Sequence, residues 1–597
     1  MASPATTAAL RPLDAMDTTV SGPVKIAGVV AAHLELLGAR ADRSPGGVGD
    51  DGITVSGQGF DSVSATVYWG ASGSGLVDEA TVQAATGVMA VHGRRTGLPA
   101  GLAVDYTATA TGVLVVQGLL AGLVGQARGA AVGHIGAGAD RAGLLAVSQY
   151  LAAAGADEGE AAELAPGGPP FTSVEGVLFE LETLDPGAWA AFWRTLEAPA
   201  DAIRAGWRPF QFRYATACAP FPPVLHETTR VRSLAEIRRA ADLSGAEVCV
   251  LRTLAERYAE ADGTPPWSFR PAGGVTPRRP VPTARPAGPT TGGGPLTGLT
   301  VLEAGRRIQA PLAAHLLGLL GAEVIRIEPP GGDPLRGMPP TSSGTSARWL
   351  ALNRGKKAVE IDIKAAADRR RLIEMAADAD VFLHNWAPGK ATELGLDAED
   401  LARANPALVY AYTGGWADRI DDAPMGTDFM VQARTGVGEA VRPRDEPPAP
   451  SLMTLLDVLG GLHGTEAVLA GLLLRERTGR GVRVESSLLG AADTLTAPVL
   501  ARIGRGGNPR RPAGFRRPLP TADGWIAPAD HDARAAASHD LAALPTTEAL
   551  ALLHGHGLAA TTVTTDLSGL HHDPRFSGAV HRDAHGAPAV PAPWSFA

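Results

Sequence analysis

Four blocks of this chain occur twice, in the same order, and this repetition limits the fold more than any other feature of the sequence. IAGVVAAHLELLGA (26–39) matches IQAPLAAHLLGLLGA (308–322) with a one-residue slip, and EATVQAATGV (79–88) matches DFMVQARTGV (428–437) without a gap. DYTATATGVLVVQGLLAGL (105–123) runs parallel to DVLGGLHGTEAVLAGLLLR (457–475), which sets Asp105 opposite Asp457 and Gly112 opposite Gly464. FTSVEG (171–176) then parallels PTADGW (520–525). A duplicated architecture is expected, and at 597 residues the chain has length for two to four domains.

The copies are unequal. Between the first and second matched blocks the second copy carries residues 323–427 and the first only 40–78, about 66 residues fewer. The first copy is instead longer after the shared core, over 176–259, with helices expected near 233–241 and 251–259. Between the copies, a stretch dense in Pro and Gly cannot hold a helix or a central strand and is expected as a linker. The domain reading is therefore a truncated copy at 18–262, a linker at 263–296 and a full copy at 297–597.

Within the second copy, strand-like runs at 299–304, 323–328, 358–363, 380–384 and 407–413 alternate with helical runs at 311–320, 366–377 and 398–404. That alternation predicts an α/β fold with a parallel sheet. A hydrophobic content of 45% and a charged content of 19% fit a globular chain. A net charge of −9 without a dense basic run argues against a nucleic-acid partner. Cys218 and Cys249 are too few for a disulfide framework and are expected as buried apolar side chains. The first 16 residues lack a basic segment followed by an apolar core, and the apolar runs at 112–124 and 468–474 are too short to span a bilayer. A cytoplasmic protein without membrane contact is expected.

The second copy carries VLEAGRRIQAPLAAHLLGLLGAEVIRIEPPGGDPLR, then LALNRGKKAVEIDIK, ADVFLHNWAPGKATELGL and NPALVYAYTGGW. In this order they resemble the family III CoA transferases, a group that includes formyl-CoA transferase, carnitine CoA transferase and the α-methylacyl-CoA racemases. The resemblance runs from about residue 299 to 490 and resumes weakly to the C-terminus, while 18–180 are similar only through the repeat. It implies a Rossmann-like large domain and a smaller α+β domain. In the family two chains interlock with CoA between them, and here the two copies would pair within one chain as an intramolecular pseudo-dimer, with further homo-oligomers open. The implied reaction moves coenzyme A from an acyl-CoA donor to a small carboxylic acid, and the implied nucleophile is Asp457. An aspartyl–acyl anhydride forms first, then an aspartyl–CoA thioester, then a second anhydride with the acceptor. Gly460 and Gly461 beside Asp457 would let the cofactor approach and offer N–H groups to an oxyanion.

For the cofactor, the resemblance implies contacts from Asn353, Arg354, Lys356 or Lys357 around Gly355, and from Asn385 and Gly389 with Pro388. Ala387 stands where the family usually has an arginine, which removes one phosphate donor. Glu328 at the end of a strand and Arg336 are further candidates, and the acyl wall is expected at 431–437 with Gln432, Arg434, Thr435 and Gly436. Thr427 replaces the histidine of the racemase branch, and threonine does not titrate near neutrality, so racemisation is disfavoured. His463 is expected to pack or hydrogen-bond, and His571, His572 and Asp573 are not expected to bind a metal. Two alternatives stay open: an acyl-CoA racemase or epimerase with a differently placed base, and a non-catalytic acyl-CoA-binding partner. Asp105 is either a relic in a pseudo-dimer with one working site or a second nucleophile.

Overall fold

The structure, a computed structural model, describes residues 10–41, 52–160, 162–272, 293–576 and 578–597. Each copy builds one large sheet. In the first, β1 (Met16–Val20), β2 (Arg40–Ala41), β3 (Ile53–Gly57), β4 (Phe60–Tyr68) and β5 (His134–Gly138) lie in the order β2–β1–β3–β4–β5. In the second, β10 (Thr300–Ala304), β11 (Glu323–Glu328), β14 (Lys357–Glu360), β15 (Val381–His384), β16 (Val409–Gly414) and β17 (Val482–Ser487) run β14–β11–β10–β15–β16–β17, every pair parallel. A short hairpin, β12 (Thr341–Ser342) and β13 (Thr345–Ser346), sits between β11 and β14 in the chain.

Each sheet is completed by the other copy. β9 (Trp267–Pro271), at the end of the first copy, lies antiparallel on β17, and β23 (Trp594–Phe596), at the end of the second, lies antiparallel on β5. The stretch expected as linker therefore begins with an edge strand of the second sheet, and most of the remainder of that linker lies outside the described residues. Six strand positions correspond one to one: β2 with β11, β1 with β10, β3 with β15, β4 with β16, β5 with β17, and β23 with β9. The shortening of the first copy is resolved by a hairpin. β3 pairs antiparallel with both β1 and β4, whereas β15 is parallel to both of its neighbours. Antiparallel neighbours need only a tight turn, while parallel ones need a crossover of about a dozen residues or more, so the hairpin fills the same sheet position with far less chain.

The centre of the molecule is the pair of repeated long helices, Tyr106–Ala127 and Leu455–Thr478, packed against each other. Each also packs on the first helix of its own copy, Val24–Leu36 or Gln309–Leu319. By length and composition both long helices are apolar enough to cross a membrane, longer than the runs at 112–124 and 468–474 suggest. Both are enclosed by protein: residues 106–125 of the first are all buried. Gln117 Nε2 donates to the Leu462 carbonyl at 2.7 Å and the Tyr106 hydroxyl to the Leu455 carbonyl at 3.0 Å, fixing one helix against the other.

Glycines set how closely these helices approach. A Cβ at Gly112 would lie 2.6 Å from Val29 Cβ, and one at Gly461 would lie 2.9 Å from the Gln309 carbonyl oxygen and 3.0 Å from Leu312 Cδ2. Gly460 likewise faces Gln309 and Leu488. Gly460 and Gly461 thus serve helix packing and lie inside a helix, instead of opening space for a cofactor as the sequence reading expected. Gly461→Val is expected to destabilise the fold by about 1–3 kcal/mol through overpacking, read as a lowered thermal midpoint. A midpoint unchanged from wild type would show that the helices can separate freely.

Each copy ends in a small antiparallel lobe: β6 (Phe171–Thr172), β7 (Leu178–Glu182) and β8 (Glu247–Val250) in the first, and β18 (Leu519–Pro520), β19 (Trp525–Pro528) and β20 (Ala560–Thr562) in the second. The fourth repeat block supplies the opening turn of both. The lobes are crossed: β7 and β8 pack on the Asp428–Arg434 helix of the second copy, and β19 and β20 on the Glu79–Ala85 helix of the first. A last hairpin, β21 (His581–Arg582) and β22 (Pro588–Ala589), precedes β23. The halves are α/β, similarly built and interlocked.

Candidate active site

Asp457 is the third residue of the Leu455–Thr478 helix, and a buried polar network holds the start of that helix. The Asp428 carboxylate accepts the backbone N–H of Leu456 at 2.7 Å and of Asp457 at 2.8 Å, and also accepts from the Gln432 side chain. Gln432 in turn accepts the Ser451 N–H at 2.8 Å and donates to the Ser451 carbonyl at 2.9 Å. The first copy repeats the arrangement. Glu79 accepts the N–H groups of Thr107 and Ala108, each at 2.8 Å, and Gln83 bonds to Glu79 and to the Leu102 N–H, again at 2.8 Å. One difference separates them. The second copy has three more residues between the second block and the aspartate, and they extend its helix by most of a turn. Asp457 therefore stands inside its helix, whereas Asp105 stands just before Tyr106 as the N-cap residue.

The surroundings of the two aspartates diverge further. Asp105 is enclosed by cations: Arg516 at 2.6 Å, Lys25 at 3.0 Å and Arg511 at 3.7 Å. Asp530 shares the first two, at 2.7 and 3.0 Å. Burial alone would raise the Asp105 pKa, but the Arg516 and Lys25 charges outweigh it and hold the carboxyl below its ordinary value. Among the described residues no side chain bonds to the Asp457 carboxylate, which faces a cavity of 680 Å³. Burial, and then the neighbouring Asp428 charge, push the Asp457 pKa well up, with Arg307 acting in the opposite direction. Asp428 is itself raised to about 6, by burial against the pull of Gln432 and the two N–H groups.

The cavity opens beyond the C-terminal ends of β10, β11 and β14, where α/β sheets ordinarily take their ligands. Its opposite wall comes from the first copy's lobe, through Glu182, Trp207, Gln211, Arg213 and Tyr214. Glu182 joins the halves: it accepts the Thr427 hydroxyl at 2.8 Å and pairs with Arg213 at 2.9 Å. Thr454 (φ 54°) and Arg307 (φ 62°), both on the cavity wall, hold left-handed backbone conformations that cost non-glycine residues energy, a feature concentrated at working sites.

The cofactor candidates fall into two groups. Glu328 lies on the cavity wall, where it accepts the Asp333 N–H and pairs with Arg336 at 2.7 Å; Arg336 stacks 3.9 Å over Trp349 outside the wall. Asn385 stands beside the cavity and pins its first loop, accepting the Arg306 N–H at 2.8 Å and donating to the Arg306 carbonyl at 3.0 Å. The others lie off the wall. Arg354 pairs with Asp583 at 3.2 Å, and Lys357 pairs on the surface with Glu323 at 2.6 Å. Buried Lys356 is lowered to about 8 by burial and bonds to Glu303 at 2.8 Å and to Asn353 at 2.9 Å. Gly389 (φ 76°) caps a short exposed helix beyond Trp386, which does line the cavity. In the expected acyl wall, Gln432 belongs to the buried network and Arg434 pairs with Glu260 at 2.7 Å.

Of the cations that line the cavity, Arg213 and Arg326 are paired with carboxylates, whereas Arg306, Arg307 and Lys364 have no carboxylate partner among the described residues. Sequence reading passed over them, although GRR at the end of β10 precedes a helix start, and such a loop commonly receives anions. Cys218 and Cys249 are buried. Asp573 pairs with Arg575 at 2.6 Å and His571 Nδ1 lies 2.8 Å from the Ser568 carbonyl oxygen, so that cluster is spent locally.

Residues 296–569 match CoA-transferase family III. The succinyl-CoA:glutarate CoA-transferase of Mus musculus is 35% identical over 238 residues, covering 39% of this chain and 54% of the mouse protein. The beta subunit of the succinyl-CoA–L-malate CoA-transferase of Chloroflexus aurantiacus is 36% identical over 203 residues, covering 32% of this chain and 49% of that one. The chain thus spans about half the length of the curated relatives it matches. A crystal structure of a CAIB/BAIF family protein from Brucella suis aligns with 26% identity and a TM-score of 0.44, over 50% of this chain and 91% of that protein. The match to CoA-transferase family III runs over residues 296–569, in the second copy.

Proposed function

We propose that this chain transfers coenzyme A between carboxylic acids at a single site, with Asp457 as the nucleophile. The observation that carries the reading is the contrast between the two repeated aspartates: Asp105 is locked between Arg516 and Lys25, while Asp457 faces a cavity large enough for an acyl thioester. A carboxylate attacks a thioester only when it is positioned and stripped of bulk water, and the cover from the first copy's lobe supplies both. Asp457 displaces CoA thiolate to form an acyl anhydride. The thiolate returns to the aspartyl carbonyl, releasing the first acid and leaving an aspartyl–CoA thioester. The acceptor carboxylate then displaces the thiolate to form the second anhydride, and thiolate attack on its acyl carbon regenerates Asp457.

In this reading residues 18–262 and 297–597 are the two copies, CoA and a small carboxylic acid are the substrates, and the protein works in the cytoplasm. Arg306, Arg307 and Lys364 face the anionic cofactor directly. Asn385 holds its loop, Glu328 and Arg336 shape the wall, and Asn353, Arg354, Lys356, Lys357 and Gly389 support the surrounding strand and turns. Two relatives carry succinyl-CoA in their names, so succinyl-CoA is the first donor to try.

Incubation with succinyl-CoA followed by hydroxylamine should leave a hydroxamate on the tryptic peptide carrying Asp457. An unmodified peptide after trials with a range of acyl-CoA donors would favour a binding protein without catalysis. The pH dependence is a second check. Because the Asp457 and Asp428 carboxyls are raised and titrate as a pair, the reactive carboxylate is depleted in mild acid. Single-turnover labelling should therefore rise as pH increases from about 5 to about 7, a range in which an ordinary aspartate near 3.9 is already ionised. A flat profile over that range would contradict the raised pair.

A further inference from the structure

A second group of chemistry-bearing side chains lies away from the cavity, where the two copies meet. His33, on the Val24–Leu36 helix, is buried, and its Nδ1 lies 3.0 and 3.2 Å from the two carboxylate oxygens of Glu466. His463, one turn before Glu466 on the Leu455–Thr478 helix, stacks obliquely on His33 with ring centroids 5.5 Å apart. The H-x-x-E spacing puts His463 and Glu466 on one helix face. Both are fully buried, and among the described residues neither ring nitrogen of His463 has a hydrogen-bond partner. One ligand atom from each of the three residues falls within 4.8 Å of the other two.

Packing alone accounts poorly for this arrangement. The repeat places Thr111 opposite His463 and Leu114 opposite Glu466, so the same helix in the first copy is built without either group. A buried imidazole with two unsatisfied nitrogens beside a buried carboxylate is costly unless something else binds them. Trp267 of the exchanged strand closes one side, 5.0 Å from His33 between ring centroids. On another side His33 borders a separate cavity of 620 Å³, which reaches Lys25 and Asp105 and offers a path for solvent.

We propose that His33, His463 and Glu466 form a site for a divalent zinc-like ion that joins the two copies. Two imidazole nitrogens and one carboxylate are a familiar three-ligand set for zinc, with water in the fourth position supplied from the adjoining cavity. Ligand distances of about 2.1 Å require the donor atoms to stand roughly 3.4 Å apart, so the 4.8 Å group closes by a side-chain adjustment. The ion takes up the lone pairs of both imidazoles and one carboxylate oxygen, and any proton shared between His33 and Glu466 leaves to solvent.

The test uses the full chain without an affinity tag, stripped with chelator, reloaded with Zn²⁺ or Co²⁺ and desalted. Metal content is measured by mass spectrometry and the thermal midpoint is followed with and without the ion. Wild type should retain one ion per chain, show the visible absorption of tetrahedral Co²⁺ and gain thermal stability on loading. His463→Leu should retain none and show no response to Zn²⁺, while remaining folded because it removes orphaned nitrogens without creating any. Glu466→Gln should lose affinity at least 10-fold. A wild type that retains no metal and shows no thermal response overturns the proposal, as does a His463→Leu protein that binds as well as wild type. Neither readout depends on acyl transfer, so this test and that of the nucleophile fail independently.

Discussion

Asp457→Asn is expected to abolish hydroxamate formation and to lower CoA transfer by at least about 10³-fold, roughly 4 kcal/mol of transition-state stabilisation. The amide cannot form the anhydride. The oxygens of Asp428 are occupied by two backbone N–H groups and Gln432, and Glu182 is held by Thr427 and Arg213. Asp105→Asn should leave the transfer rate of the folded protein within about two-fold, a difference small beside the 1.36 kcal/mol of a ten-fold effect. Stability should move the other way. A carboxyl whose pKa is raised on folding costs stability above its unfolded value, so Asp457→Asn should raise the thermal midpoint near neutral pH, a common exchange between activity and stability. Equal partial losses in the two variants would instead show two working sites, and full activity in Asp457→Asn would remove the nucleophile assignment.

How much of this was legible in the sequence depends on whether the signal was local. The runs at 323–328, 366–377 and 398–404 coincide with observed elements because periodicity and capping are written within each segment. The four repeat blocks located the paired central helices, the capping residues Glu79 and Asp428, and the opening turns of both lobes. What stayed hidden was pairing over distance. β9 and β23 are short runs whose partners lie more than 200 residues away, and nothing in WSFRP or WSF indicates the other copy's sheet. The β3–β4 hairpin was hidden because the first copy had been read as a deletion and not as a change from parallel to antiparallel pairing. The basic residues follow the same logic. NRGKK looks like an anion-binding turn, yet Lys356 meets Glu303 and Arg354 meets Asp583, 229 residues further on, and no local pattern records those partners. The unpaired Arg306 and Arg307 were passed over for the converse reason, since a cation without a partner is recognised only after every carboxylate nearby has been accounted for.

Arg516→Met is expected to be the most destabilising single change at the interlock, by about 3–5 kcal/mol, because it leaves buried acids without their cation. Arg516 is fully buried, pairs with Asp105 at 2.6 Å and Asp530 at 2.7 Å, and donates to the Leu102 and Val104 carbonyls at 2.9 and 2.8 Å. It comes from the second copy and holds the segment that leads into the first copy's central helix, so its pair with Asp105 and its two carbonyl bonds cross the interface between the halves. Neutralising the acids together, as Arg516→Met with Asp105→Asn and Asp530→Asn, should recover most of the loss, since replacing a whole buried charge cluster is far less costly than breaking it. The acid limb gives the sign. Asp105 and Asp530 are both depressed on folding, so their contribution is complete above the unfolded carboxylate value of about 3.9 and is lost as pH falls through the folded values. The gap between wild type and Arg516→Met in thermal midpoint should therefore be steady from about pH 7 to about pH 5 and close only in stronger acid. A cost below about 1 kcal/mol, the range of an exposed pair, would show that the cluster does not hold the halves together. Releasing Asp105 should not create a second labelled site, because among the described residues the first copy has no strand corresponding to β14, and its sequence has no NRGKK turn. A hydroxamate on the Asp105 peptide of Arg516→Met would show instead that the ion pairs alone keep that aspartate silent.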